Sequence, residues 1–198
     1  MRDTMLLPAF ADPVDDAQKT FRLALAALSE PGTMHDAGPA PALHGLAPAT
    51  YALCLALLDA ETPLWLSPAL DTPAVRANLA FHCACPLAGE VRRADFALLT
   101  PDDLDALPDL PRGTDRDPHL SCTVLVQMES LDGGPDIRWQ GPGIAGSRTM
   151  RLPLPPVFWQ TRAAEVFPRG LDFFFAAGRA ITALPRSTRV SRPITKET

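Results

Sequence analysis

The chain has 198 residues, 46% hydrophobic and 21% charged, a balance that excludes intrinsic disorder and a length that can bury a core without disulfide or metal staples. Its net charge of −5 argues against a general nucleic-acid binder, whose footprint is a basic stripe; Arg92-Arg93 and the scattered Arg186, Arg189 and Arg192 are its densest basic clusters. Proline is the anomaly, at 22 of 198 residues, about twice the usual share, so the prolines must punctuate a folded domain, read here as one unit over 1–198.

Met1 to Met5 has no basic stretch leading into an apolar core, and no apolar run approaches ~20 residues. A cytoplasmic protein with no signal peptide and no membrane span is expected. The first helix is announced by Asp12 as cap and Pro13 at the first helical position. Val14, Ala17, Phe21, Ala24, Leu25 and Leu28 recur at threes and fours, which predicts one buried apolar stripe ending at Pro31-Gly32. A second helix over about 49–60 is apolar nearly all round (Tyr51, Leu53, Cys54, Leu55, Leu57, Leu58), which predicts burial on several sides.

Thr62 to Leu66 reads as a short strand. Asp71-Thr72-Pro73 opens a third helix through Val75 and Leu79 to Phe81, and Asp95 to Leu99 reads as a strand. Thr100-Pro101-Asp102-Asp103 repeats the helix-start signal, and the Pro- and Asp-rich stretch 106–118 reads as a surface loop. Thr123 to Met128 and Asp136 to Gln140, separated by Asp132-Gly133-Gly134, suggest an antiparallel hairpin. Pro156 to Phe167 reads as a helix, Leu171 to Ala176 as a strand buried on both faces, Ala180 to Leu184 as another strand, and 190–198 as a polar tail. Helices and strands interleave through one core, which gives an α/β domain with a mixed central sheet.

Several familiar chemistries find no frame. Gly141-Pro142-Gly143-Ile144-Ala145-Gly146 matches G-x-G-x-x-G, with Glu165 placed where a ribose-binding acid could follow. The dinucleotide fingerprint, however, needs a helix starting at the glycines. Thr149 to Leu152 reads as extended, and Pro153, Pro155 and Pro156 forbid that helix, so the glycines are expected to shape a tight loop. His82, Cys83, Cys85, His119 and Cys122 have poor spacing for tetrahedral zinc. Cys54, Cys83, Cys85 and Cys122 are therefore expected as reduced, buried thiols, and His82 as a satisfied, partly buried side chain. Lys19 and Lys196 are the only lysines, one in a helix and one in the tail, so a pyridoxal phosphate (PLP) Schiff base is not expected.

A polar set remains that folding alone does not explain: Arg22 and Glu30 on the first helix, Arg148 after the glycine loop, Asp172 ahead of three phenylalanines, and Arg186 after Pro185. A carboxylate entering a central strand must be paired or solvated, and arginine offers a planar fork to a carboxylate or a phosphate. Two readings stand open: an ion pair that fixes loops or a subunit contact, and an anion-binding pocket.

The same segments resemble one family. Asp16-Ala17-Gln18 with Phe21-Arg22, Leu28-Ser29-Glu30-Pro31-Gly32, the run from Leu57-Leu58-Asp59 through Glu61-Thr62-Pro63 to Leu64-Trp65-Leu66, and the stretch from Phe81-His82 to Pro86 match in order. So do Val124-Leu125-Val126-Gln127, Gly141-Pro142-Gly143-Ile144, Phe167-Pro168 with Gly170-Leu171-Asp172, and Leu184-Pro185-Arg186 with Thr188. Together they are similar to PhnH, the H-subunit family of the bacterial carbon–phosphorus lyase system, over about residues 5–190. One departure is Cys83-Ala84-Cys85, where the family usually has Thr-Gly-Ala; the cysteines are thus not a family feature.

The resemblance implies a three-layer sandwich with a mixed central sheet, similar to the large domain of PLP-dependent transferases but lacking the PLP site. It further implies assembly with G, I and J subunits into a core complex, a homodimer when isolated, and support for replacing adenine on ATP by a phosphonate. No catalytic residue, metal or cofactor of its own carries over. The first expectation is therefore a non-catalytic subunit. The second is an enzyme subunit whose Arg22, Arg148 and Arg186 contact the triphosphate or phosphonate, and a third, generic one is a free-standing small-molecule binder.

Overall fold

A computed structural model describes residues 6–38 and 40–192. The helices are α1 (Pro13–Ser29), α2 (Pro48–Leu57), α3 (Pro73–His82) and α4 (Pro156–Ala163). The strands are β1 (His35–Asp36), β2 (Leu64–Leu66), β3 (Phe96–Leu99), β4 (Thr123–Gln127), β5 (Ile137–Gln140), β6 (Arg148–Met150), β7 (Asp172–Ala177), β8 (Ala180–Leu184) and β9 (Arg189–Ser191). Six strands form one mixed sheet in the order β1-β8-β7-β4-β3-β2, and three form a small antiparallel sheet in the order β6-β5-β9. Within the large sheet β2, β3, β4 and β7 run parallel, while β8 and β1 run antiparallel to their neighbours.

The period of two along the central strands divides the interior into two cores. Leu125 and Phe174 point into one, with Ala24, Ala27, Tyr51, Leu53 and Leu79 from α1, α2 and α3. Val124, Val126, Phe173 and Phe175 point into the other, with Trp139 and Leu152 from the small-sheet segment and Phe158 and Trp159 from α4. The sheet is thus covered by three helices on one face and by α4 with the small sheet on the other. Strands β4 and β7 are buried on both faces, as expected for the Leu171 to Ala176 run of β7.

Helix starts follow the capping signals. Asp12 accepts from the amides of Val14 and Asp15, and Thr72 accepts from that of Val75, each ahead of a proline whose missing N–H costs nothing there. After Thr100 the chain instead forms a 3-10 helix, Pro101–Asp109, with a capping box between Thr100 and Asp103. Burial pushes the Asp103 carboxyl up and hydrogen bonding from Thr100 pulls it down; the second prevails, and it sits below the usual carboxylate range.

Five expectations need correction. The stretch 106–118 is not wholly a surface loop: Leu104, Leu107 and Leu110 recur every three residues, the 3-10 period, and Leu107 and Leu110 are buried in the second core. β4 and β5 do not pair. β4 is apolar on both faces and takes a central parallel position, whereas β5 alternates, burying Ile137 and Trp139 and exposing Arg138, and joins β6 and β9. The 132–134 turn packs onto the main chain at 151–153, where Gly134 donates to the Arg151 carbonyl at 2.7 Å.

The stretch 190–198 is not a tail at its start, because Val190 is buried and Arg189–Ser191 pairs with β5; 193–198 lie outside the described residues. α4 ends at Ala163 rather than Phe167, since Pro168 disfavours helical backbone at the residue before it. Finally, the buried face of α1 is Asp16, Thr20, Ala24 and Ala27, not the larger apolar residues. Small side chains let α1 lie close to β8, and Thr20 donates to the Ala37 carbonyl at 3.0 Å. Val14, Phe21 and Leu25 are left exposed.

Candidate functional site

Asp172 is the first residue of β7, and the β7–β8 register, in which Phe173 faces Leu184, brings Arg186 back beside it. Its carboxylate accepts from the Arg186 backbone N at 2.7 Å, from Nε at 3.0 Å and from Nη2 at 2.5 Å. Arg186 Nη1 donates to the Pro118 carbonyl. Both side chains are more than four-fifths buried. The pair therefore solves the problem posed by a carboxylate at the head of an apolar strand, and it ties the open end of the β7–β8 hairpin to the 118–120 turn.

A second cluster lies alongside. Arg162, on the last turn of α4, is 4% exposed and donates from Nη2 to the carbonyls of Pro185 and Thr188 at 2.8 and 2.7 Å. Its Nη1 lies 3.5 Å from Glu165 Oε2. Glu165 Oε1 accepts from Arg112 Nη1, and Arg112 Nη2 donates to the Leu107 carbonyl at 3.1 Å. Burial lowers the pKa of Arg162, opposed by the charges of Glu165 and Asp172. Glu165 is thus a structural counter-ion, not a ribose ligand. Arg112 and Arg162 were not among the sequence candidates. The i,i+3 spacing of Arg162 and Glu165 was a usable signal, whereas Arg112 meets Glu165 across 53 residues and left none.

Between these clusters and the glycine loop lies an open cleft of about 470 Å³, lined by Pro142, Arg162, Glu165, Phe167, Arg186 and Thr188 among others. Its charged lining is Arg162, Arg186 and Arg189 against Glu165, so the walls carry two surplus positive charges. The donors of Arg112, Arg162 and Arg186 nevertheless point into the protein, at main-chain carbonyls and at Glu165 and Asp172, while Arg189 stands exposed. Neither cluster pairs a nucleophile with a base.

The glycine loop serves close packing. Gly143 has φ +76°, and a Cβ there would overlap the Ser29 carbonyl oxygen; at Gly141 a Cβ would come within 3.0 Å of the Ser187 carbonyl. The loop is wedged between the C-terminal end of α1 and the 185–188 turn, and it leads into β6, not a helix. Arg148 Nη1 donates to the Pro31 carbonyl at 2.6 Å and lies 3.4 Å from that of Glu30. Glu30 takes part through its main chain, and Arg22 stands exposed on α1. The five sequence candidates thus occupy three places: Asp172 with Arg186, Arg148 with the Glu30–Pro31 backbone, and Arg22 apart.

The cysteines divide as well. Cys54, Cys83 and Cys85 belong to one core and Cys122 to the other, so the mixed His/Cys set considered for zinc is split by the sheet. All four thiols are buried and free; burial pushes those of Cys54 and Cys122 up, away from thiolate chemistry. His82 bonds the Leu7 carbonyl at 2.9 Å, the satisfied, partly buried state expected of it. Lys19 lies exposed beside Asp15 and Asp16, and Lys196 lies outside the described residues. Among the described residues no helix is long and apolar enough to cross a membrane.

Comparison with known proteins gives a consistent result. The family model described as bacterial phosphonate metabolism protein (PhnH) matches residues 8–191. The chain is 35% identical over 195 residues, 93% of its length and 94% of the relative's, to the alpha-D-ribose 1-methylphosphonate 5-triphosphate synthase subunit PhnH of Rhizobium meliloti (strain 1021). It is 28% identical over 179 residues, 88% of its length and 85% of the relative's, to the putative C-P lyase subunit protein HtxG of Stutzerimonas stutzeri.

Proposed function

The chain belongs to the PhnH family of bacterial phosphonate metabolism proteins, and on that premise we propose that it is a subunit of a carbon–phosphorus lyase complex. With its partners it supports synthesis of ribose 1-methylphosphonate 5-triphosphate from ATP and methylphosphonate, with adenine as the leaving group. Its own part is assembly and support, not chemistry. The partners are the G, I and J subunits, the isolated chain is a homodimer, and the setting is the cytoplasm. The sandwich resembles the large domain of PLP-dependent transferases and holds no cofactor.

The observation that carries this reading is the end-to-end family match over residues 8–191, beside arginines that spend their donors internally. Arg186 is engaged by Asp172 and Pro118 and Arg148 by Pro31, which favours a fixed scaffold over direct contact with a triphosphate. The test is co-expression of the affinity-tagged chain with G, I and J subunits. Recovery of all four in fixed ratio is expected, whereas recovery of the tagged chain alone would contradict the assignment.

A further inference from the structure

The outer face of α1 is apolar, and nothing in the described chain covers it. Val14, Phe21 and Leu25 are 79%, 45% and 50% exposed, and with Gln18 they recur at four, three and four residues, the spacing of one helix face. The buried face, Asp16, Thr20, Ala24 and Ala27, is a separate one. The stripe therefore runs along a 17-residue helix, roughly 25 Å long, and is not a frayed end. Beside it is a groove of about 160 Å³, bounded by Phe21, Leu25 and Leu28 and by Leu57, Phe96 and Phe174 from the body of the protein.

Charge on the margin of the stripe selects the occupant. Asp15 and Arg22 stand seven residues apart, two turns along the same side of the stripe. Asp15 is 65% exposed, with the exposed Lys19 amine at 3.5 Å, and Arg22 is exposed with no ion pair among the described residues. One helix thus carries both halves of a charge pair, on the same flank of an apolar stripe. That pattern complements its own copy turned end for end.

We propose that a second copy of this chain docks on the α1 stripe, the two helices packing antiparallel about a two-fold axis that passes between residues 18 and 19. In that register Val14 inserts between the partner's Phe21 and the partner's Leu25, Asp15 faces the partner's Arg22, and symmetry repeats both contacts. The antiparallel helix dipoles add to the attraction. The apolar stripe supplies the association, and the rim charges fix register and direction. The surface deepens the homodimer reading given above and rests on it.

Sedimentation equilibrium on the purified full-length chain tests it. The wild type is expected at twice the chain mass, and Phe21→Glu at the chain mass with an unchanged circular dichroism spectrum. Asp15→Arg and Arg22→Asp are each expected to raise the dimer Kd by about tenfold, since two exposed pairs turn repulsive at once, and the double variant to return it to within threefold of wild type. A monomeric wild type would sink the homodimer reading itself. A dimer that survives Phe21→Glu leaves that reading standing and overturns the α1 surface, also if the variant loses only capture of a different subunit. Singles that weaken the dimer without rescue in the double variant would overturn the antiparallel register.

Discussion

Gly143 combines a left-handed φ of +76° with a main-chain carbonyl where a Cβ would stand. Gly133 has φ +103° and open space around it, so the two separate strain from collision. Gly133→Ala is expected to cost about 1 kcal/mol through its φ alone, and Gly143→Ala at least twice that, because loop and α1 terminus must part. Urea unfolding midpoints measure both; equal shifts would mean that the loop does not lean on α1. At this scale the sequence was legible in kind but not in partner. The glycine run and its proline-barred helix identified a loop, and Asp172 had to be paired, yet only the fold could say that Arg186 is its partner and that Glu30 contributes a carbonyl in place of its carboxylate. Arg148 serves the backbone for the same reason: the carbonyls that follow the end of α1 need donors, and no sequence spacing shows which distant residue supplies them.

Among the elements, α4 depends most on one side chain. Arg162 is buried against Glu165 and feeds the carbonyls that turn β8 into β9. Arg162→Met leaves Glu165 with Arg112 alone and two carbonyls without donors, at a cost of roughly 3–5 kcal/mol. For a domain of this size that is a fall in Tm of roughly 10 °C. Adding Glu165→Met should deepen the loss, since it strands Arg112 and restores no donor to either carbonyl. Calorimetry of the single and double variants decides it, and a single variant that melts with wild type would remove the cluster's structural role.

Helix starts were legible because capping residues and prolines act locally, at Asp12-Pro13 and Thr72-Pro73. Strand partners were not, because pairing is non-local: β5 alternates as a hairpin strand should, yet its partners are β6 and β9. The periodicity of α1 was also correctly seen, but only Ala17, Ala24 and Leu28 of its stripe pack on the core, while Val14, Phe21 and Leu25 form the outer face. Alanine and threonine already satisfy the side that lies against the sheet. An apolar period identifies a face that wants a partner, and it does not say whether that partner belongs to the same chain.

At the scale of the molecule, the parallel strands β2, β3, β4 and β7 form a continuous buried sheet whose amino-terminal edge carries Asp172, Arg186 and the arginine–glutamate cluster. These groups close the fold on itself. The family was legible in the sequence, because ordered matches along a whole chain are harder to produce by chance than any six-residue motif. The mixed sheet and its two cores were legible only as a class.

The central claim is that this chain supports a transfer it does not perform. Adenine release from ATP and methylphosphonate, followed by chromatography, tests it most directly when the chain alone is compared with the chain assembled with the proposed G and I partners. No release above background by the chain alone, with turnover on assembly that survives Arg186→Lys so long as the complex forms, is the predicted result. Adenine release by the purified chain alone would contradict it.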